Sequence, residues 1–96
     1  MTNIAIVGQR VEVTEPIKAY VHKKFERIIR HFDHINQIHV MLKIEKSNQI
    51  AEATVHAKGH SELFARSDAS DMYAAIDLLV DKLDRQVVKL KEKKQS

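Results

Sequence analysis

The chain has 96 residues, 44% hydrophobic and 30% charged, with no cysteine, two glycines and one proline. This is the size and composition of one globular domain spanning 1–96, too small for a second core and too apolar for a disordered chain. Without cysteine there is no disulfide framework, thiolate zinc site or thiol nucleophile, and no window nears the ~18 apolar residues of a membrane span. A formal charge of +3 leans towards an anionic partner without identifying one. The N-terminus lacks a basic stretch leading into a long apolar run, so a cytoplasmic protein is expected.

Residues 2–8 alternate, with Ile4 and Ile6 on one side, and predict a short strand ended by Gly8. Thr14, Glu15 and Pro16 supply a capping residue, an acid and a first-turn proline, the order of a helix start. Ile17, Val21, Phe25, Ile28, Ile29 and Phe32 then recur at spacings of three and four, which predicts a helix from about residue 15 to about 32, with Asp33 and His34 ending the pattern.

Ile38, Val40, Leu42 and Ile44 alternate with polar neighbours and Met41, predicting a half-buried strand followed by a turn at Lys46, Ser47 and Asn48. Ala51, Ala53, Val55 and Ala57 predict a third strand whose small inward residues let helices sit close. After a turn at Gly59 and His60, Leu63, Ala65 and Ser67 predict a short fourth strand. Asp68, Ser70 and Asp71 offer an acid and caps for a second helix beginning near Ser70. Met72, Ile76, Leu79, Val80, Leu83, Val87 and Leu90 carry it close to the C-terminus.

The predicted fold is α+β, β-α-β-β-β-α: a four-stranded sheet with two helices packed on one face. Its other face, carrying Gln37, His39, Met41, Lys43, Thr54, His56, Lys58, Phe64 and Arg66, is left to solvent.

At 100° per residue, Lys82, Arg85, Lys89 and Lys93 fall along one flank of the second helix, and Asp77, Asp81 and Asp84 along another. The first helix carries Lys23, Lys24, Arg27 and Arg30 beside or opposite its apolar face, with Glu26 the one acid in 16–32. If the helices lie side by side, the two basic stripes can merge. Two solvated helix faces would give the same pattern, but the sorting of sign on both favours a polyanion. Such rows meet phosphates and read charge and shape, not base sequence.

No other constellation competes. His31, His34 and His39 fall in a helix end, a loop and a strand, with no cysteine or spaced carboxylates beside them, so no metal site is expected. His39 and His56 are expected to neighbour each other on the open sheet face as solvated strand residues. There is no G-x-S-x-G, P-loop or paired-carboxylate arrangement, so neither catalysis nor a cofactor is expected. Phe64 alone, without an RNP-like segment, does not make an RRM, and no GXXG marks a KH domain.

The segment Asp71-Met72-Tyr73-Ala74-Ala75-Ile76-Asp77, followed by Asp81-Lys82-Leu83 and Arg85-Gln86, resembles the bacterial ribosome hibernation promoting factor family. Val11-Glu12-Val13-Thr14-Glu15, Lys24-Phe25, Phe32-Asp33, Ile35-Asn36 and Leu42-Lys43-Ile44-Glu45-Lys46 agree with the same family, so the resemblance covers nearly the whole chain. It implies a fold similar to a double-stranded-RNA-binding domain. It also implies binding in stationary phase to the small ribosomal subunit and its rRNA, in the channel of mRNA and tRNA, blocking translation by exclusion.

The family's basic surface maps onto Lys24, Arg27, Lys82, Arg85 and Lys89, members of the two stripes. Lys23 and Arg30 are not family signatures and would extend the patch, as would Lys93. Ending at Ser96, the chain resembles the short form, for which the resemblance implies a monomer off the ribosome that acts with ribosome modulation factor to form inactive dimers. A translation inhibitor acting on single ribosomes and a general double-stranded-RNA-binding module are the alternatives; a hydrolase or metal protein built on the histidines ranks last.

Overall fold

A computed structural model describes residues 3–32, 34–59 and 62–95, with side chains as far as residue 90. Its elements are β1 (Asn3–Gln9), α1 (Glu15–His31), β2 (Ile35–Glu45), β3 (Asn48–Ala57), β4 (Leu63–Ala69) and α2 (Met72–Gln95). This is the predicted order. The strands form one four-stranded sheet, β1-β2-β3-β4. β2, β3 and β4 pair antiparallel through short connections, whereas β1 pairs parallel with β2, Ile4 opposite Ile38 and Ile6 opposite Val40. The parallel pairing follows from α1, which serves as the crossover that parallel neighbours require.

β1 runs one residue beyond Gly8. A Cβ at Gly8 would stand 2.4 Å from the Val11 carbonyl oxygen and 2.7 Å from Val13 Cγ2, so the missing side chain lets the next segment fold back against the strand. Thr14 caps α1 as the sequence predicts, its Oγ1 accepting from the Ile17 amide at 3.4 Å, with Pro16 in the first turn. The β2–β3 turn is tighter than predicted. Glu45 pairs with Asn48, leaving Lys46 and Ser47 as a two-residue loop with Lys46 at φ 56°. Asp33, His60 and Ser61, in two of the predicted connections, lie outside the described residues.

α2 starts at Met72, two residues later than the predicted Ser70, because Asp71 is the cap: its Oδ2 accepts from the Ala74 amide at 3.1 Å. The buried Ser67 hydroxyl donates to the Ala75 carbonyl, fastening the first turn of α2 to β4. The inward residues of β2 are large (Ile38, Val40, Leu42). Those of β3 and β4 include Ala51, Ala53, Ala57 and Ala65, and α2 lies close over these two strands. With Val21, Phe25 and Ile28 from α1 and Ile76, Leu79, Leu83 and Val87 from α2, they make one core cluster. Ile50 is buried outside that cluster: strand alternation puts it on the opposite sheet face, across from Lys43 and Asp68.

Candidate nucleic-acid interface

The two helices lie against each other, and the contact is made by charge of opposite sign. Tyr20 Oη donates to Asp77 Oδ1 at 2.7 Å, and Lys24 Nζ stands 3.4 Å from the same carboxylate oxygen. One turn on, Arg27 Nη2 donates to Asp81 Oδ1 at 2.8 Å while its Nε lies 3.7 Å from Asp84 Oδ2. His31 Nδ1 donates to Asp84 Oδ1 at 2.7 Å, the donor role following because an ionised carboxylate only accepts. Helical spacing accounts for the ladder: Tyr20, Lys24, Arg27 and His31 form one stripe of α1, and Asp77, Asp81 and Asp84 the facing stripe of α2.

The electrostatics of the seam show in two groups. The hydrogen bond to Asp77 is the largest cause, ahead of burial and of the Asp77 and Asp71 charges, that pushes the Tyr20 hydroxyl up from 10.0 to about 12. The Asp81 hydrogen bond raises the ionisation of Arg27, burial opposing it and the charges of Asp84 and Asp81 adding to it. Tyr20 also meets the Tyr73 ring edge-on at 4.9 Å, and Lys24 Nζ sits 5.4 Å from the Tyr20 ring centre.

The two basic stripes therefore do not merge directly. The acidic flank of α2 separates them, a use for those aspartates that helical projection alone did not supply. Of the predicted α1 cations, Lys24 and Arg27 are joined to α2, Arg30 is 3.5 Å from Glu26 on its own helix, and Lys23 is exposed with no carboxylate in ion-pair range among the described residues. On α2, Arg85 and Lys89 are exposed and likewise unpaired among the described residues. Lys82 reaches the edge of the sheet, its Nζ donating to the Arg66 carbonyl at 2.7 Å, and Gln86 Nε2 donates to the Phe64 carbonyl at 2.9 Å. Lys93 belongs to the backbone of α2, but its side chain lies outside the described residues.

The open sheet face differs. Of the cations predicted there, Lys58 lies past the end of β3, exposed and without an ion pair among the described residues, whereas Lys43 and Arg66 are matched by acids: Lys43 Nζ is 3.1 Å from Glu52, Arg66 Nη1 is 3.5 Å from Glu52, and each is 3.8 Å from Glu45. His39 and His56 do neighbour each other, ring centres 5.4 Å apart, and His56 Nδ1 lies 3.2 Å from Glu62. No group of three metal-ligating side chains occurs among the described residues. No helix among them is long and apolar enough to cross a membrane.

A four-stranded mixed sheet backed by two helices, with exposed cations on the outer flank of the second that have no ion pair among the described residues, defines a small α+β protein with a charged helical surface. The chain belongs to the family described as sigma 54 modulation protein / S30EA ribosomal protein, whose model matches residues 4–95. Within it the chain groups with the short ribosome hibernation promoting factors. It is 50% identical over 93 residues to the ribosome hibernation promoting factor of Pseudomonas putida, covering 97% of this chain and 90% of that protein. It is 47% identical over 88 residues to that of Escherichia coli K12, covering 92% of each.

Two solved structures share the fold. A ribosomal subunit interface protein from Coxiella burnetii superposes with a TM-score of 0.85 at 32% identity, covering 94% of this chain and 98% of that one. The N-terminal domain of Thermus thermophilus Protein Y gives 0.84, also at 32% identity, covering 94% and 99%.

Proposed function

We propose that this chain is a ribosome hibernation factor that binds the small ribosomal subunit through its rRNA, in the channel otherwise occupied by mRNA and tRNA. It acts in stationary phase, in the cytoplasm, as a monomer off the ribosome, and blocks translation by occupancy, with no chemistry and no cofactor. With ribosome modulation factor as its functional partner, it favours inactive ribosome dimers.

The observation that carries this reading is the cationic flank of α2, Arg85 and Lys89 beside Lys82, the first two without an ion pair among the described residues, in a chain about half identical to hibernation promoting factors over nearly its whole length. Lys23, Lys24, Arg27, Arg30 and Lys93 complete the proposed rRNA surface. Lys24 and Arg27 contribute although they are paired, because their side chains keep 40% and 47% of their exposure and a half-exposed ion pair contributes only about 0–1 kcal/mol. To meet a phosphate, each must first be drawn from its aspartate on α2.

The reading is tested by inhibition of translation in vitro and by the ribosome profile of stationary-phase cells with and without the gene. Inhibition, with fewer dimers when the gene is lost, supports it. Inhibition with unchanged dimers assigns action on single ribosomes, and equal affinity for ribosomes and any duplex RNA assigns a general double-stranded-RNA binder.

A further inference from the structure

We infer that Asp77, Asp81 and Asp84 are specificity-determining residues, which mask the α1 cations Lys24 and Arg27 against duplex RNA in general. The inference rests on the proposed RNA-binding function and adds what that face rejects.

The helical face consists of three strips. Lys23 lies on the outer side of α1, Arg85 and Lys89 on the outer side of α2, and between them runs the seam in which Asp77 meets Lys24, and Asp81 and Asp84 meet Arg27. Asp84 also accepts from His31. The seam therefore holds three carboxylates against two permanent cations and an imidazole, so it presents a phosphate with no net attraction, whereas the strips on either side attract it.

An arbitrary duplex gains affinity by laying successive phosphates on every available cation, releasing counterions as it does so. Across this face it must either lose contact at the seam or displace three aspartates from their partners. A partner whose phosphates are already spaced to meet the outer strips can offset that cost with the contacts they supply, and so reach Lys24 and Arg27 where an arbitrary duplex does not. Solubility does not account for the arrangement, since the carboxylates are all turned to one helix seam instead of being interspersed along the surface.

The test measures affinity of the full chain for an RNA duplex of about 16 base pairs, long enough to span such a face, across a salt series. Asp81→Asn/Asp84→Asn keeps hydrogen-bond acceptors at both positions and removes two charges. It should tighten duplex binding by about tenfold at low salt and steepen the salt dependence by about one unit of slope. Arg27→Gln should change duplex affinity by less than about twofold in the parent chain and should undo most of the gain in the Asn background. Unchanged duplex affinity in the Asn variant, or an equal loss from Arg27→Gln in both backgrounds, overturns the inference.

If the Asn variant does not fold, the parent background decides. Arg85→Gln must then weaken duplex binding several times more than Arg27→Gln, and equal losses overturn the inference. A parallel measurement with small ribosomal subunits separates the two proposals. A parent chain that binds no small subunits overturns the proposed function, while the duplex measurements still decide the masking.

Discussion

The Arg27 guanidinium stands 2.8 Å from the Asp81 carboxylate across the seam between α1 and α2. Both groups are about half exposed, so the pair orients the helices more than it stabilises them, at about 0–1 kcal/mol. Arg27→Asp should destabilise the chain by more than Arg27→Ala, because it sets like charges against Asp81 and Asp84. The swap Arg27→Asp/Asp81→Arg should recover part of that loss. Urea unfolding of the parent, Arg27→Asp, Asp81→Arg and the swap gives the coupling energy; a swap no more stable than Arg27→Asp alone would show that the pair does not interact.

Tyr20 makes stability depend on alkaline pH. Its hydroxyl ionises near 12 in the folded chain against 10.0 ordinarily, so folding favours the neutral form. That contribution is complete below pH 10 and is lost as pH rises from 10 to 12. Tyr20→Phe should cost about 1 kcal/mol at neutral pH, and the difference between the two proteins should shrink over that window. A constant difference from pH 8 to 12 would rule out the Asp77 hydrogen bond as its source.

The core should respond by position within a single helix. Leu83 is fully buried in the main cluster whereas Leu78 is 46% exposed, so Leu83→Ala should cost about 2–5 kcal/mol and Leu78→Ala less than about 0.5. Comparable losses at the two sites would place the apolar stripe of α2 wrongly.

Asp71 starts α2. Asp71→Ala removes the acceptor for the Ala74 amide and should cost about 1 kcal/mol, with Asp71→Ser close to neutral. Ser70→Ala, at the start position that sequence alone suggested, should have little effect. Thermal unfolding of the three variants separates the two caps.

The elements were legible because each carries its own period. Strand alternation from Ile38 to Ile44 and the three-four spacing from Met72 to Leu90 need no tertiary information. What was not legible depends on two segments at once. The parallel register of β1 on β2 is settled by where α1 returns the chain. Ile50 was missed because its burial comes from the face that alternation leaves to solvent.

The site divides in the same way. Helical projection placed the aspartates of α2 on one flank, but only the packing of α1 shows that the flank is occupied by Lys24, Arg27 and His31. The spacing of Tyr20, Lys24, Arg27 and His31 against Asp77, Asp81 and Asp84 was a signal available in the sequence. It acquires meaning once the helices are known to be neighbours.

The most direct test of the central claim, that the unpaired cations of α2 hold the protein on the small subunit, is co-sedimentation of Arg85→Glu/Lys89→Glu with purified small ribosomal subunits over a salt series. Both side chains are exposed and make no hydrogen bond or ion pair among the described residues, so the variant should fold with stability within about 0.5 kcal/mol of the parent. The parent should co-sediment at low salt and dissociate steeply as salt rises, and the folded variant should be lost from the subunit fraction throughout. A folded variant that co-sediments like the parent, with the same salt dependence, would contradict the claim.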